Sequence, residues 1–278
     1  MTEIGGNAAN YELRLPGRPD QVIRLTWAAA TDTGRRRNAN EDSYVAQSPV
    51  FAVADGMGGH SSGDLASAAV VTRLAEAITE GFGTTVAVDR ALSKATEDIE
   101  IVGEDSERGV GTTVTGVVLT LQGGEPYFAV FNIGDSRVYQ FERDELRQVT
   151  VDHSVVQEMV DSGLIDREQA DHHPDSNVIT RAVGFNMPPT ADYWMLPLRP
   201  GFRLLICSDG LTKELDDERL RRHLAAGESA EETAHALVDA ALAAGGRDNV
   251  TTIVLDVIDA PVEFELDATA PRSGGRAA

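Results

Sequence analysis

Four aspartates in this chain stand at the end of an apolar run or beside a glycine turn. Asp55 closes Phe51-Ala-Val-Ala-Asp55-Gly56, and Asp135 follows Ala129-Val-Phe-Asn-Ile-Gly134. Asp209 closes Leu204-Leu-Ile-Cys-Ser-Asp209-Gly210, and Asp248 precedes Asn249 and the run Val250 to Val257. Short apolar runs bounded by glycine predict buried strands. Aspartate is a poor strand residue, so Asp at a strand end with Gly behind it predicts a turn. The same signal recurs far apart in the chain. If these ends meet in one fold, their carboxylates crowd together and repel unless cations neutralise them. Oxygen donors without Cys or His suit Mg²⁺, Mn²⁺ or Ca²⁺ rather than Zn²⁺. A hard-metal catalytic site is the chemistry to expect.

The elements that must carry these residues come in runs. The pattern predicts strands over 22–30, 43–47, 50–54, 112–121, 126–133, 137–141, 203–207 and 250–257. Over 63–80, Leu65, Ala68, Val71, Ala75 and Ile78 follow helical spacing, and over 86–102 so do Val88, Leu92, Ala95, Ile99 and Val102. Residues 216–226 read as a shorter helix. Ser229 and Glu232 form a capping-box pattern ahead of a helix over 230–244, which Gly245 ends. Strands grouped together rather than alternating with helices favour packed antiparallel sheets with helices outside. Residues 152–200 are rich in proline and irregular, with an amphipathic segment over 154–163; such a long insert is often functional. Residues 1–20 read as a flexible lead-in with a short strand from Tyr11 to Leu15, and 260–278 as a disordered tail. The core signals fill 21–259 without a linker.

Composition narrows the partners. A formal net charge of −21 argues against nucleic acid and anionic membrane surfaces. No apolar run is long enough to span a bilayer, and no signal peptide is evident. Cys207 is the only cysteine, so no internal disulfide can form; inside its apolar run it reads as a buried thiol. These features favour the cytoplasm.

Arg37-Asn-Ala-Asn40-Glu41-Asp42, Asp55-Gly-Met-Gly-Gly59, Gly111-Thr-Thr113, Gly134-Asp-Ser-Arg137, Asp209-Gly210 and Asp248-Asn249 appear in this order. Each is weak alone. Together, over roughly residues 24–257, they resemble the metal-dependent serine/threonine protein phosphatases of type 2C (the PPM family), in particular its bacterial branch. The resemblance implies an α+β fold, a four-layer αββα sandwich of two packed antiparallel sheets flanked by helices, with two Mn²⁺ or Mg²⁺ ions at one end. It implies that Asp55 bridges both ions, that the Gly56 carbonyl helps hold the first, and that Asp209 and Asp248 hold the second. Asp135, with Asp209, matches a third-metal position, and Glu41 and Asp42 match acidic positions that hold metal-bound waters. The reaction implied is hydrolysis of phosphoserine and phosphothreonine by a metal-activated water, with Arg37 as a planar fork for the phosphate. Segment 155–185 matches the family's flap. The implied partners are phosphorylated proteins, including a serine/threonine kinase, and a monomer is expected.

Local readings compete at several positions. Arg35 and Arg36 read as surface residues, Arg137 as a local salt-bridge partner, Thr112 and Thr113 as strand packing, and His153 as structural. Where eukaryotic relatives carry the histidine proposed as proton donor, this chain has Met57. His60 is the nearby side-chain candidate for that acid, and metal-bound water is the alternative donor. Two other functions stay open. A non-catalytic phosphoprotein-binding module would be expected to lose some of Arg37, Asp55, Asp209 and Asp248; a hard-metal phosphoesterase for small molecules would differ in its substrates.

Overall fold

A computed structural model describes residues 1–58, 62–79, 81–103, 109–171, 173–185 and 188–261. In chain order, its first half contains strands β1 (Glu3–Gly5), β2 (Ala8–Leu15), β3 (Arg18–Asp32), β4 (Asp42–Gln47) and β5 (Val50–Met57), helices α1 (Gly63–Ala77) and α2 (Thr85–Gly103), then β6 (Gly111–Thr112), β7 (Val114–Gln122) and β8 (Glu125–Ile133). There follow β9 (Arg137–Glu142), β10 (Glu145–Gln148), α3 (Val155–Asp161), α4 (Arg167–Asp171), β11 (Asp192–Pro197), β12 (Arg203–Cys207), α5 (Asp209–Thr212), α6 (Asp217–Leu224), α7 (Ala230–Ala244) and β13 (Val250–Asp259). One sheet runs β1-β4-β5-β7-β8-β11, with β6 attached to β5, and the other runs β10-β9-β12-β13-β3-β2.

Apolar side chains fall into three clusters, which define four layers. Trp27, Phe51, Phe128, Phe202, Leu204 and Ile253 fill the space between the sheets. The first sheet's other face, with Val45, Ala52, Val118 and Phe131, receives Val70 and Leu74 of α1 and Leu92 and Ile99 of α2. The second sheet's outer face receives Ala234, Leu237 and Ala241 of α7 on Ala28, Leu205 and Val254. This is the expected αββα sandwich. The Ser229–Glu232 capping box forms as read, with Ser229 accepting from the Glu232 amide.

Three expectations are corrected. Residues 1–20 form strands: β1 pairs in parallel with β4, the one parallel pairing among the described strands, and β2 pairs antiparallel with β3. The Trp27 indole donates to the carbonyls of Gly6 (2.7 Å) and Ala46 (3.1 Å), tying this segment to the central core. Edge strands bury only part of their length, so their apolar signal is sparse. Inside the irregular 152–200 stretch, β11 pairs with β8 along its whole length. Proline at its end is tolerated because it is an edge strand. On α1 the buried stripe is Ala66, Val70, Val71 and Leu74, while Leu65 is exposed. The stripe is hard to read because the buried Ser67 lies on it, sharing a 2.9 Å hydrogen bond with the Ser43 hydroxyl and donating to the Glu41 carbonyl at 2.6 Å. The expected tail lies almost wholly outside the described residues.

Candidate active site

All the singled-out carboxylates gather at one end of the sandwich, because the strands that carry them start or stop there. Asp42 opens β4 and lies directly opposite Asp55 near the end of β5. Asp135 follows β8 through Gly134, Asp209 follows β12 through Ser208, and Asp248 with Asn249 leads into β13. The two sheets are pinned together here. Both the Ser208 hydroxyl (2.9 Å) and the Thr251 hydroxyl (2.6 Å) donate to Asp42 Oδ2.

The Asp-Gly pairs follow from steric limits. A Cβ at Gly56 would run into the Gly63 carbonyl, and one at Gly210 into the Asn249 carbonyl. Only glycine lets these backbones approach so closely.

Thr112 and Thr113 do more than pack. The Thr112 hydroxyl (2.8 Å) and the Thr113 amide (2.9 Å) donate to the Asp55 carbonyl, and the Thr113 hydroxyl accepts from the Asp55 amide at 3.1 Å. The Thr113 hydroxyl also meets the Ser136 hydroxyl at 2.8 Å, coupling the Asp55 strand end to the Asp135 turn. His153 is structural, as read: its Nδ1 accepts from the Gly134 amide at 3.1 Å, and its Nε2 lies 3.1 Å from Asp192. Arg137 forks onto the nearly buried Asp152 at 2.7–3.0 Å, the local salt bridge expected of it. Burial pushes the Cys207 thiol up to about 12, which leaves it inert.

Arg37 sits on the loop between β3 and β4. Its Nη2 donates to Asp248 Oδ2 at 2.8 Å, and its remaining N–H groups have no partner among the described residues. The loop is held by Asn249, which is 5 % exposed. Its amide donates to the carbonyls of Thr33 (2.8 Å) and Ala39 (3.0 Å), and its oxygen accepts from the Glu41 amide at 2.9 Å. Arg35 is exposed but not idle, because its Nε donates to the Leu242 carbonyl at 2.8 Å. Asn249→Ala should leave these loop groups unpaired and cost on the order of 1–3 kcal/mol. Urea unfolding checks this; an unchanged midpoint would remove Asn249 from its role as clamp.

Electrostatically the cluster is under tension. Burial raises Asp55 well above the usual carboxylate range, and the charges of Asp42, Asp209, Asp135 and Asp248 push the same way. Asp42 is pushed up to about 7 by burial, against the pull of its two hydroxyl donors. Asp135 reaches about 7 through burial and the Asp209 charge. Burial also raises Glu41, with Arg37 opposing. Asp42 Oδ1 and Asp209 Oδ1 are buried with no hydrogen-bond partner. Such orphaned carboxylate oxygens are costly unless they face a cation or ordered water. The residues therefore fit hard divalent ions: the donors are all oxygen, and the group carries excess negative charge. Among the described residues no group of three or more of these side chains is close enough to hold a single ion by itself. Ions such as Mg²⁺, which keep several waters, call for few direct protein ligands.

Two charged residues were not singled out from the sequence. Lys213 Nζ pairs with Asp209 Oδ2. Asp64, in the first turn of α1, has a buried unpartnered Oδ1 and its charge acts on Glu41. Lysine three places after a strand-end Asp-Gly carries no pattern of its own. His60 lies outside the described residues. The 155–185 segment is tied down near its ends: Val155 N donates to the Val178 carbonyl at 2.9 Å, Thr180 N donates to the His153 carbonyl at 2.8 Å, and Val183 exchanges backbone bonds with Thr112 at 2.9 and 3.0 Å.

A family model described as Protein phosphatase 2C matches residues 34–244. The serine/threonine protein phosphatase PstP of Mycobacterium tuberculosis is 39% identical over 259 residues, covering 91% of this chain and 48% of PstP. The chain thus spans about half the length of that relative. The serine/threonine phosphatase stp of Listeria innocua is 34% identical over 239 residues, covering 81% of this chain and 93% of stp. The crystal structure of the catalytic domain of PstP in complex with 2 manganese ions superposes with a TM-score of 0.75 at 37% identity, covering 85% of this chain and 99% of that one.

Proposed function

This chain belongs to the protein phosphatase 2C family, and on that premise we propose that it hydrolyses phosphoserine and phosphothreonine in proteins with Mn²⁺ or Mg²⁺. The observation that carries this reading is the meeting of Asp55, Asp209 and Asp248 at one end of the sandwich, with the guanidinium of Arg37 beside Asp248. Asp55 and the Gly56 carbonyl, with Asp209 and Asp248, would hold two ions, and Asp135 with Asp209 a further one. Bound there, the ions would lower the pKa of a water and screen the charge of the phosphate.

The chain's own residues do the rest. Glu41 and Asp42 orient water; Asp42 has one oxygen fixed by Ser208 and Thr251 and the other unpartnered. Arg37 offers planar N–H groups to the phosphate oxygens. Its bond to Asp248 fixes where that fork points, so phosphate position and carboxylate position are linked. Met57 has no proton to give, and His60 is the side-chain candidate for protonating the leaving serine oxygen. Residues 21–259 form the catalytic domain in this reading, extended by the N-terminal strands, and 155–185 borders the site as a flap.

The protein would work as a monomer in the cytoplasm, on phosphorylated proteins that include a serine/threonine kinase. Among the described residues no helix is long and apolar enough to cross a membrane. The net charge of −21 supports partners other than nucleic acid or anionic lipid.

The deciding measurement is phosphate release from phosphoserine and phosphothreonine peptides and from nucleotides, with Mn²⁺, with Mg²⁺ and in excess chelator. Release from peptides that chelator stops is expected. Full turnover in chelator would overturn the metal reading, and turnover of nucleotides alone would make the protein a small-molecule phosphoesterase.

A further inference from the structure

Lys213 is an unusual neighbour for an acidic site. It follows the single turn of α5, and its amide donates to the Asp209 carbonyl at 2.8 Å. Its side chain then turns back along that helix instead of reaching for solvent, and its ammonium pairs with Asp209 Oδ2. The pair is sheltered, the two side chains being 33% and 12% exposed. The charge of Lys213 also acts on Asp135 and, more weakly, on Asp55. After Asp209, Asp135 is the carboxylate whose charge acts most on Lys213, and Asp209 is the charge that raises Asp135 most. The other oxygen of Asp209, Oδ1, is buried without a partner, and Asp209 is 8% exposed.

We propose that Lys213 is a resident cation that screens the Asp135–Asp209 side of the site and competes there with a further divalent ion. This rests on the metal-dependent reading above and deepens it. A tethered ammonium is always present at high effective concentration, unlike an ion drawn from solution. It satisfies one oxygen of Asp209 and offsets one of two negative charges. A divalent ion arriving between the same carboxylates must displace it or lie beside a like charge. Asp209 also serves a core ion in that reading, but Asp55 and Asp248 hold the core ions with it, so those sites stay tight while the Asp135 side binds weakly.

Calorimetric titration of the full chain with Mn²⁺ tests this, alongside Lys213→Met, which keeps the aliphatic stem, and Lys213→Arg, which keeps the charge. Near-UV circular dichroism reports that each variant is folded. The weak site of Lys213→Met should tighten on the order of tenfold or more, tenfold being about 1.4 kcal/mol, with the tight sites, which Asp55 and Asp248 also hold, changing less. Lys213→Arg should stay within a few-fold of the parent chain, and adding Asp135→Asn to Lys213→Met should cancel the gain. An unchanged or weakened weak site in a folded Lys213→Met overturns the proposal and leaves the metal reading standing. Absence of Mn²⁺ binding by the parent chain overturns both, and is seen before any variant is made.

Discussion

Asp55→Asn should reduce turnover of a phosphoserine peptide by on the order of 10³-fold or more, while making the protein harder to unfold in chelator. The first effect follows from removing the carboxylate that faces all the others, since charge stabilisation by bound cations is worth several kcal/mol and each 1.4 kcal/mol is tenfold in rate. The second follows from the same charge. The Asp55 side chain makes no hydrogen bond among the described residues, and its surroundings are burial plus the charges of Asp42, Asp209, Asp135 and Asp248. Neutralising it relieves repulsion and breaks no bond. The pH dependence has a definite sign. Asp42 and Asp135 rise from 3.8 to about 7 on folding, so the folded chain holds protons that the unfolded chain releases. Stability in chelator therefore falls as pH rises between about 4 and about 7, and is lower at pH 8 than at pH 5.5. Mn²⁺ should restore stability at pH 8 by binding only the folded state. Asp55→Asn in chelator should show a shallower fall. Urea melts at both pH values, with and without Mn²⁺, decide it: earlier unfolding of Asp55→Asn at pH 8 would show that Asp55 supports the fold instead of straining it.

Much of this arrangement was legible because burial on both faces leaves a strong trace. Phe51–Ala54 and Leu204–Cys207 are continuous apolar runs, Val250–Val257 is a mainly apolar one interrupted by Thr251, Thr252 and Asp256, and their ends mark the ends of strands. An aspartate at such an end has nowhere to go but the rim of the sandwich. The rest left weaker traces for physical reasons. β1, β2 and β11 are edge strands that need few apolar residues. Ser67 is a polar residue on a buried helix face, satisfied by Ser43 and by the Glu41 carbonyl, and no periodicity reveals it. The tether from Asp42 to Ser208 and Thr251 joins residues 166 and 209 positions apart, a separation at which sequence spacing says nothing. Lys213 reads as an ordinary solvated lysine until the turn of α5 brings it back over Asp209. The sequence order of the motifs identifies the family, but it does not say which carboxylates already have partners.

Arg37→Ala should raise KM for a phosphoserine peptide by on the order of tens- to a hundredfold, with a smaller loss in kcat. A charge-assisted hydrogen bond is worth roughly 1.5–3 kcal/mol, and a forked guanidinium can make two to one phosphate. The side chain is 49% exposed and its one bond among the described residues is to Asp248, so no fold-defining contact is lost. Arg37→Lys should rescue little, because an ammonium cannot both hold Asp248 and present a planar pair to phosphate. The bond from Nη2 to Asp248 accounts for the residual effect on kcat, since losing it loosens a carboxylate proposed to hold metal. The control matters. Arg35 is a poor one, since its backbone amide donates to the Gly246 carbonyl at 2.7 Å and its Nε to Leu242, so Arg35→Ala tests loop anchoring. Arg36 is exposed with no hydrogen bond or ion pair among the described residues, and Arg36→Ala should leave both constants within about twofold, as surface changes usually do. Steady-state kinetics on the three variants distinguish the possibilities. If Arg36→Ala and Arg37→Ala raise KM equally, the triplet attracts phosphate through diffuse charge, and the fork has no special role. If Arg37→Ala lowers kcat and leaves KM alone, its main service is to Asp248, and the phosphate is held by other groups.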